Sequence, residues 1–237
     1  MAHRIVLLLT LVTVFSCAWG QDASRVAPAT PEPNPPQQQN KRIFWIIPNY
    51  RTSQVTDKYQ PLSTRQKFHM AWQDSLDPGT FVLAAAFAGK SQLTNADPSF
   101  GQGVKGYAHR FVTSYADWAI GDYMTEAVVP SLLHQDPRYF RLGHGGGFRR
   151  LGHAVGQIFW TRMDNGGHMF NFSEVVGNAA AVAISNAYYP DERTAGDNIS
   201  RLGVQVGLDM AGNVLKEFWP DLHNKLSRHK TTSRAGL

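Results

Sequence analysis

Gly103-Val-Lys-Gly-Tyr-Ala-His-Arg110-Phe-Val-Thr-Ser-Tyr-Ala-Asp117-Trp-Ala-Ile-Gly-Asp122-Tyr-Met-Thr-Glu126-Ala-Val-Val-Pro130-Ser-Leu-Leu-His134 decides the fold class. Tyr107, Phe111, Tyr115 and Trp118 recur at spacings of four, four and three, which stacks them on one face of a helix. Arg110, Ser114, Asp117 and Gly121 form a second stripe at the same period. Pro130 lacks an N–H and predicts a kink or break near the end of this helix. No part of the chain sustains the period-two alternation of a half-buried strand, so the sequence reads as all-α.

Helix boundaries recur on both sides of that stretch. Ser63-Thr-Arg-Gln66 is a capping box ahead of Phe68, Met70, Ala71 and Trp72. Asp77-Pro78 sets a cap and an N1 proline before an Ala-rich run to Gly89. A further helix is predicted over 148–163. Asn171-Phe-Ser-Glu174 opens another that Pro190 closes, and Thr194-Ala-Gly-Asp197 opens the last, ending at Trp219 before Pro220. The expectation is a single compact bundle of about six helices. Gly152/Gly156, Gly177/Ala181/Ser185 and Gly203/Gly207/Ala211 line helical faces at four-residue spacing and predict small-xxx-small packing seams. Glycine in a helix interior costs about 1 kcal/mol relative to alanine, which close backbone approach would offset. Arg150-Leu-Gly-His-Ala-Val-Gly156 echoes Arg201-Leu-Gly-Val-Gln-Val-Gly207, through a duplicated hairpin or through coincidence.

The ends of the chain have a different composition. Arg4, the apolar run Ile5–Phe15 and Ala18-Trp-Gly20 make residues 1–20 a signal peptide. Residues 21–41, rich in Pro and Gln, bury too little to order and read as a disordered linker. The helical domain is assigned to 42–224 and a basic flexible tail to 225–237. Cys17 is the only cysteine, so no disulfide framework is available. Val14-Phe-Ser16-Cys17 is a poor lipobox, and lipidation of Cys17 is the minority alternative to ordinary cleavage. The chain is expected to be exported, periplasmic or associated with the outer membrane. A formal charge of +5 suits an anionic lipid or envelope polymer and association with a membrane surface, with no nucleic-acid partner expected. Asp117, Asp122, Glu126, Asn178, Asp209 and Asn213 interrupt the most apolar helices and weigh against a membrane span. Oligomeric state is not legible.

The residues richest in chemistry are Leu132-Leu-His134-Gln-Asp136-Pro-Arg138-Tyr139-Phe-Arg141 and the Gly143–Gly147 loop. His134 and Asp136 stand where a helix ends and could act as a general-base pair or metal ligands. Equally, Asp136 could cap the Asp-Pro turn while His134 binds a freed carbonyl. Glu126 and Glu174 complete the catalytic candidates; Arg110, Asp117, Arg138 and Tyr139 are the ligand-binding candidates. Glu174/Asn178 and Asp209/Asn213/Glu217 repeat at four-residue spacing, as an inward polar network would. A di-iron bundle needs Glu-x-x-His, which is absent, so no metal and no cofactor are expected. The glycine loop lacks the Lys-Ser/Thr of a phosphate-binding loop, and nucleophile-elbow, zinc-helix and paired-cysteine signatures are missing.

Gly103-Val-Lys-Gly-Tyr-Ala-His-Arg110, Ser131-Leu-Leu-His-Gln-Asp-Pro-Arg-Tyr-Phe-Arg141, Ser185-Asn-Ala-Tyr-Tyr-Pro190 and Leu215-Lys-Glu-Phe-Trp-Pro220 resemble a family of uncharacterised exported proteins from bacteria of the Acidobacteria type. The resemblance covers roughly residues 60–222 and implies a bacterial envelope setting, with no activity to carry over. Sequence therefore points to a non-enzymatic envelope protein binding a lipid, wall component or protein partner. A metal-dependent or acid/base hydrolase centred on His134 and Asp136, and a multi-helix membrane-embedded protein, stand as alternatives.

Overall fold

A computed structural model describes residues 42–43, 47–49, 51–55 and 58–234; at 42, 47 and 48, and beyond 225, it describes the backbone alone. The signal peptide, Cys17 and the 21–41 linker lie outside the described residues. In order come β1 (Arg42–Ile43), β2 (Ile47–Pro48), β3 (Thr52–Gln54), α1 (Thr64–Ser75), α2 (Pro78–Thr94), α3 (Gly103–Asp122) and a π-helix (Tyr123–Val128). Then follow α4 (Val129–Leu133), β4 (Tyr139–Arg141), α5 (Gly147–Phe159), β5 (Trp160–Arg162), β6 (His168–Phe170), α6 (Phe172–Ser185) and α7 (Ala195–Arg234). The fold is an all-α bundle with three small two-stranded pairings as clips.

Local chemistry explains the helix starts. Ser63 and Gln66 form the reciprocal capping box of α1. Asp77 accepts from the Gly79 N–H ahead of α2, with Pro78 at its first position. Asn171 accepts from the Glu174 N–H at α6, and Thr194 and Asp197 cap α7 reciprocally. The proline effect in the long helix takes another form than a simple kink. Just before Pro130 the backbone widens into a π-helix, the turn type that tolerates a missing donor and a ring pressing on the preceding carbonyls. It carries Glu126 into the centre of the bundle at 0 % exposure.

Three boundaries differ from the sequence expectation. α5 stops at Phe159 because Trp160–Arg162 pair antiparallel with His168–Phe170. α6 stops at Ser185, short of Pro190, and the chain leaves through turns. Pro220 lies inside α7, whose backbone continues through the 225–234 segment. The packing seams also need correction. Of the seam glycines, only Gly177 makes a close approach, where a Cβ would meet Thr125 Cγ2 at 2.9 Å and its Cα at 3.0 Å. Gly152, Gly156, Gly203 and Gly207 have nothing within 4 Å of a Cβ, and Ala211 is exposed. Those stripes face outward; the inward positions are Arg150, Ala154 and Ile158 on α5 and Lys216, Glu217 and Trp219 on α7.

Polarity is inverted at many positions of this bundle, beside an apolar core that includes Ile43, Phe140, Ile158, Val182 and Trp219. Arg110, Lys67, Gln135, Glu126, Glu217 and Asp136 are each less than 2 % exposed. Phe148, Leu93, Val104, Leu132 and Ile199 are 71–93 % exposed. Charged side chains are almost never fully buried unless paired, so these groups must be held by ion pairs and hydrogen bonds. No described helix is long and apolar enough to cross a membrane.

Candidate functional site

The centre of the bundle is organised by Arg51, a residue that no sequence pattern singled out. β3 runs parallel to β4 with Thr52 opposite Tyr139, and the Tyr139 N–H donates to the Arg51 carbonyl at 2.8 Å. That pairing delivers the Arg51 side chain between α1 and the π-helix. Its guanidinium lies 3.1 Å from Asp74 and 2.9 Å from Glu126. Asp122, Glu174 and Asp209 complete a set of five acids, against which Arg51 and Lys216 supply the positive charge.

Charge here is kept in check by protons. Burial raises the Asp74 and Glu126 carboxyls, Glu126 well above its ordinary value, while the facing Arg51 opposes the rise. Asp74 and Glu126 face the same Arg51 guanidinium. Glu174 is driven well upward by burial and then by Asp209, and the Asn178 amide donates to both of these carboxyls, at 3.0 and 3.4 Å. Burial and the neighbouring Asp74 push Asp122 up to about 8. Burial and Arg51 press Lys216 down to about 8, against the pull of the acids.

Two hollows meet this cluster. A small one of about 40 Å³ is lined by Thr161, Ser173, Glu174, Asn213 and Lys216. A larger one of about 320 Å³ lies between α2, α3 and α7, within the size range of small-molecule sites. Arg51, Thr125 and Asp209 belong to the walls of both. Asp122 and Asp209 border the larger cavity at the cluster end; Asp97, Asp117, Glu192 and Arg201 border it at the other. Apolar side chains, among them Trp118 packed edge-on to Phe87 at 5.9 Å, line the stretch between.

The sequence candidates divide sharply. Glu126 and Glu174 join the buried cluster. Asp117 reaches the larger cavity, where it accepts from the Tyr188 hydroxyl at 2.6 Å and faces Arg201 at 3.5 Å. His134 and Asp136 are not brought together. His134 caps α4 in the left-handed region with φ 53° and its side chain is 79 % exposed. Asp136 is buried, gripped by Arg138 at 2.6 Å and by the Tyr59 hydroxyl at 3.2 Å. The pair required by an acid/base centre there has no geometry. Arg138 also donates to the Gln60 carbonyl, locking the turn before β4. Arg110 donates to the Ser91 hydroxyl, the Gln92 amide oxygen and the carbonyls of Asp97 and Gly101, holding the α2–α3 connection closed. Tyr139 donates to Glu217 at 2.6 Å.

The Glu217 clasp is complete. One carboxylate oxygen accepts from the Tyr139 hydroxyl and the Leu142 N–H, the other from the Gly143 N–H and Arg150 Nε. Burial would raise this carboxyl, but those donors hold it below its ordinary value. The larger cavity is not complete. Asp97 Oδ1, Gln205 Oε1 and Arg201 Nη1 are buried atoms on its lining residues with no hydrogen-bond partner. Among the described residues, no three His, Cys, Asp or Glu side chains are placed to hold a metal ion. Sequence reasoning noticed Asp122 as an interruption of an apolar helix, and Asn178 and Asp209 both as such interruptions and as members of an inward polar network; Arg51, Asp74 and Lys216 carried no local signal. No protein-family model matches the chain, and no curated protein or solved structure matches it.

Proposed function

We propose that this is a non-enzymatic binding protein of the bacterial envelope that rests its apolar exterior against lipid and keeps a charged cavity for a small ligand. The observation that carries the reading is the inverted polarity. A bundle in water gains from placing Lys67, Arg110 and Glu126 outside and Phe148, Leu93 and Val104 inside, and this chain does the reverse. Exposed apolar surface of this kind is stabilised by contact with another apolar phase. The outward Gly203 of α7 lies one turn from exposed Ile199. Lipid contact along such faces needs no helix that spans the bilayer.

Flotation tests the reading. The purified protein, mixed with vesicles of phosphatidylethanolamine and phosphatidylglycerol, is expected to rise with them through a sucrose gradient. Because the contact is apolar, it is expected to stay bound in 1 M salt, where the Debye length falls to about 3 Å. Phe148→Asp together with Leu132→Asp is expected to reduce flotation. Protein that stays at the bottom of the gradient, or that high salt releases fully, refutes lipid association through this exterior.

A further inference from the structure

We infer that Lys216 is an amine nucleophile that captures short uncharged aldehydes as imines in the small hollow lined by β5, α6 and α7. The inference deepens the binding reading of the interior and stands whether or not the exterior meets lipid. Flotation and lysine reactivity are read separately, so either can fail alone.

Among the described residues the other buried cations are engaged. Lys67 holds Asp164, Arg138 holds Asp136, Arg141 and Arg150 reach Glu217 and Asp221, and Arg110 closes the α2–α3 connection. Lys216 is not engaged. It is 8 % exposed and lines the hollow of about 40 Å³, yet its ammonium makes no hydrogen bond and no ion pair with any described residue. Its Nζ is not sealed in the packing as Arg201 Nη1 and Gln205 Oε1 are, so a small molecule in the hollow can reach it. Asn213, three residues earlier on α7, lines the same space and makes no side-chain hydrogen bond among the described residues either. Across from them the Thr161 and Ser173 hydroxyls donate to the Asp136 carbonyl and the Gln135 amide oxygen. That leaves only their lone pairs for a guest.

A buried ammonium with no acceptor is costly, which favours the neutral amine that attacks carbonyls. Burial and Arg51 hold it at about 8 against Asp74, Asp209 and Glu126. About a tenth is therefore neutral at pH 7, against roughly 0.04 % of a free lysine. Glu174 lines the same hollow and, raised well above its ordinary value by burial and Asp209, has a proton to give. The Nζ lone pair attacks the carbonyl carbon, forming the C–N bond, and the carbonyl pair moves onto oxygen. That oxygen takes a proton from Glu174, and the charged nitrogen returns one. Glu174 then protonates the new hydroxyl, which leaves as water while the nitrogen pair closes the C=N bond, and the remaining N–H proton goes back to Glu174. Amine and aldehyde give imine and water, with no oxidant or reductant. A water needs about 10–15 Å³ on this measure, so the hollow admits a carbonyl compound of about four heavy atoms. The carboxyls of Asp74, Glu126, Glu174 and Asp209 disfavour an anionic substituent, while the Thr161 and Ser173 lone pairs suit a hydroxyl. Glycolaldehyde meets both conditions.

Reductive trapping is the test. Native protein is treated at pH 7 with glycolaldehyde and cyanoborohydride, which reduces an imine to a stable secondary amine, and the modified lysines are ranked by peptide mass spectrometry. Lys216 is expected to react at least about tenfold faster than exposed Lys90 and Lys105, as its larger neutral fraction implies. Benzaldehyde, too large for the hollow, and anionic glyoxylate are expected to show no such preference. Protein unfolded in guanidinium is expected to lose it. Glu174→Gln is expected to slow Lys216 about tenfold or more, as loss of a general acid does, and to leave Lys90 and Lys105 unchanged. Lys216 reacting no faster than Lys90 and Lys105 overturns the inference. So does a preference that survives unfolding, equal capture of benzaldehyde or glyoxylate, or an unchanged rate in Glu174→Gln.

Discussion

Replacing Glu217 by Gln is the sharpest test of how the interior is held. The carboxylate is 0 % exposed and receives hydrogen bonds from Tyr139 at 2.6 Å, Leu142 at 3.0 Å, Gly143 at 2.9 Å and Arg150 at 2.7 Å. A glutamine keeps the shape but has one acceptor oxygen, so its NH2 must face two of those four donors. Hydrogen bonds to a charged partner contribute about 1.5–3 kcal/mol each. Removing one side of a buried ion pair costs about 3–5 kcal/mol. Both routes give a loss of about 3–5 kcal/mol, or roughly 10 °C in melting temperature for a chain of this size. The effect must depend on pH. Because the folded carboxyl titrates below its ordinary value, it stabilises the fold fully above about pH 4.3, and the contribution is lost as pH falls through the folded value. Guanidinium unfolding of wild type and Glu217→Gln at pH 7 and pH 3 is therefore expected to show a deficit at pH 7 that shrinks at pH 3. A deficit under about 1 kcal/mol at pH 7, or one identical at both pH values, refutes the clasp.

Glycine substitutions should separate the seam that exists from those that do not. Gly177→Ala is expected to destabilise by about 1–3 kcal/mol, since its Cβ meets Thr125 backbone at 3.0 Å, and Gly203→Ala to stabilise by up to about 1 kcal/mol, both read by thermal melting. Asp122→Asn is expected to stabilise the protein progressively as pH rises from about 4 to about 8 and by a constant amount above that. The folded carboxyl is raised to about 8 by burial and by Asp74, so ionisation of the unfolded chain works against folding through that window; a pH series of unfolding midpoints checks it. Lys67→Met leaves Asp164 without its partner at 2.7 Å and takes from the Pro130 carbonyl one of its donors, the Gln135 N–H remaining, and is expected to cost about 2–3 kcal/mol in the same unfolding assay.

What the sequence made legible was local. Ser63 with Gln66, Asp77 with Pro78, Asn171 with Glu174 and Thr194 with Asp197 act within a single turn, and each forms the cap its spacing implies. The glycine stripes misled because spacing places residues on one face without saying whether that face points in or out. In most helices the apolar residues reveal the inward face, but α5 and α7 bury Arg150, Lys216 and Glu217 beside Ala154, Ile158 and Trp219, and leave Phe148, Ile199 and Val204 outside, which blurs that guide. The site was legible only in pieces. Glu126, Glu174 and Asp117 could be named as candidates, whereas Arg51 enters through a parallel strand pairing with residues almost ninety positions away, which no local pattern encodes. His134 was misleading for the opposite reason: a helix end followed by Asp-Pro draws attention, yet the left-handed cap turns its ring outward.

Two sets of buried charges share this bundle, and they differ in completion. Around Glu217 every acceptor has its donor and the carboxylate is held ionised, so the group has nothing further to bind and its role is to fix α5, β4 and α7 together. Around Arg51 the acids outnumber their cations, and on the α2–α3–α7 side Asp97, Gln205 and Arg201 each keep a buried atom unmatched. An unmatched buried polar atom costs about 1–3 kcal/mol. The α2–α3–α7 side is therefore expected to open at lower free energy than the clasp, and amide hydrogen exchange that is slower around α2 and α3 than around β4 and α5 refutes this ordering.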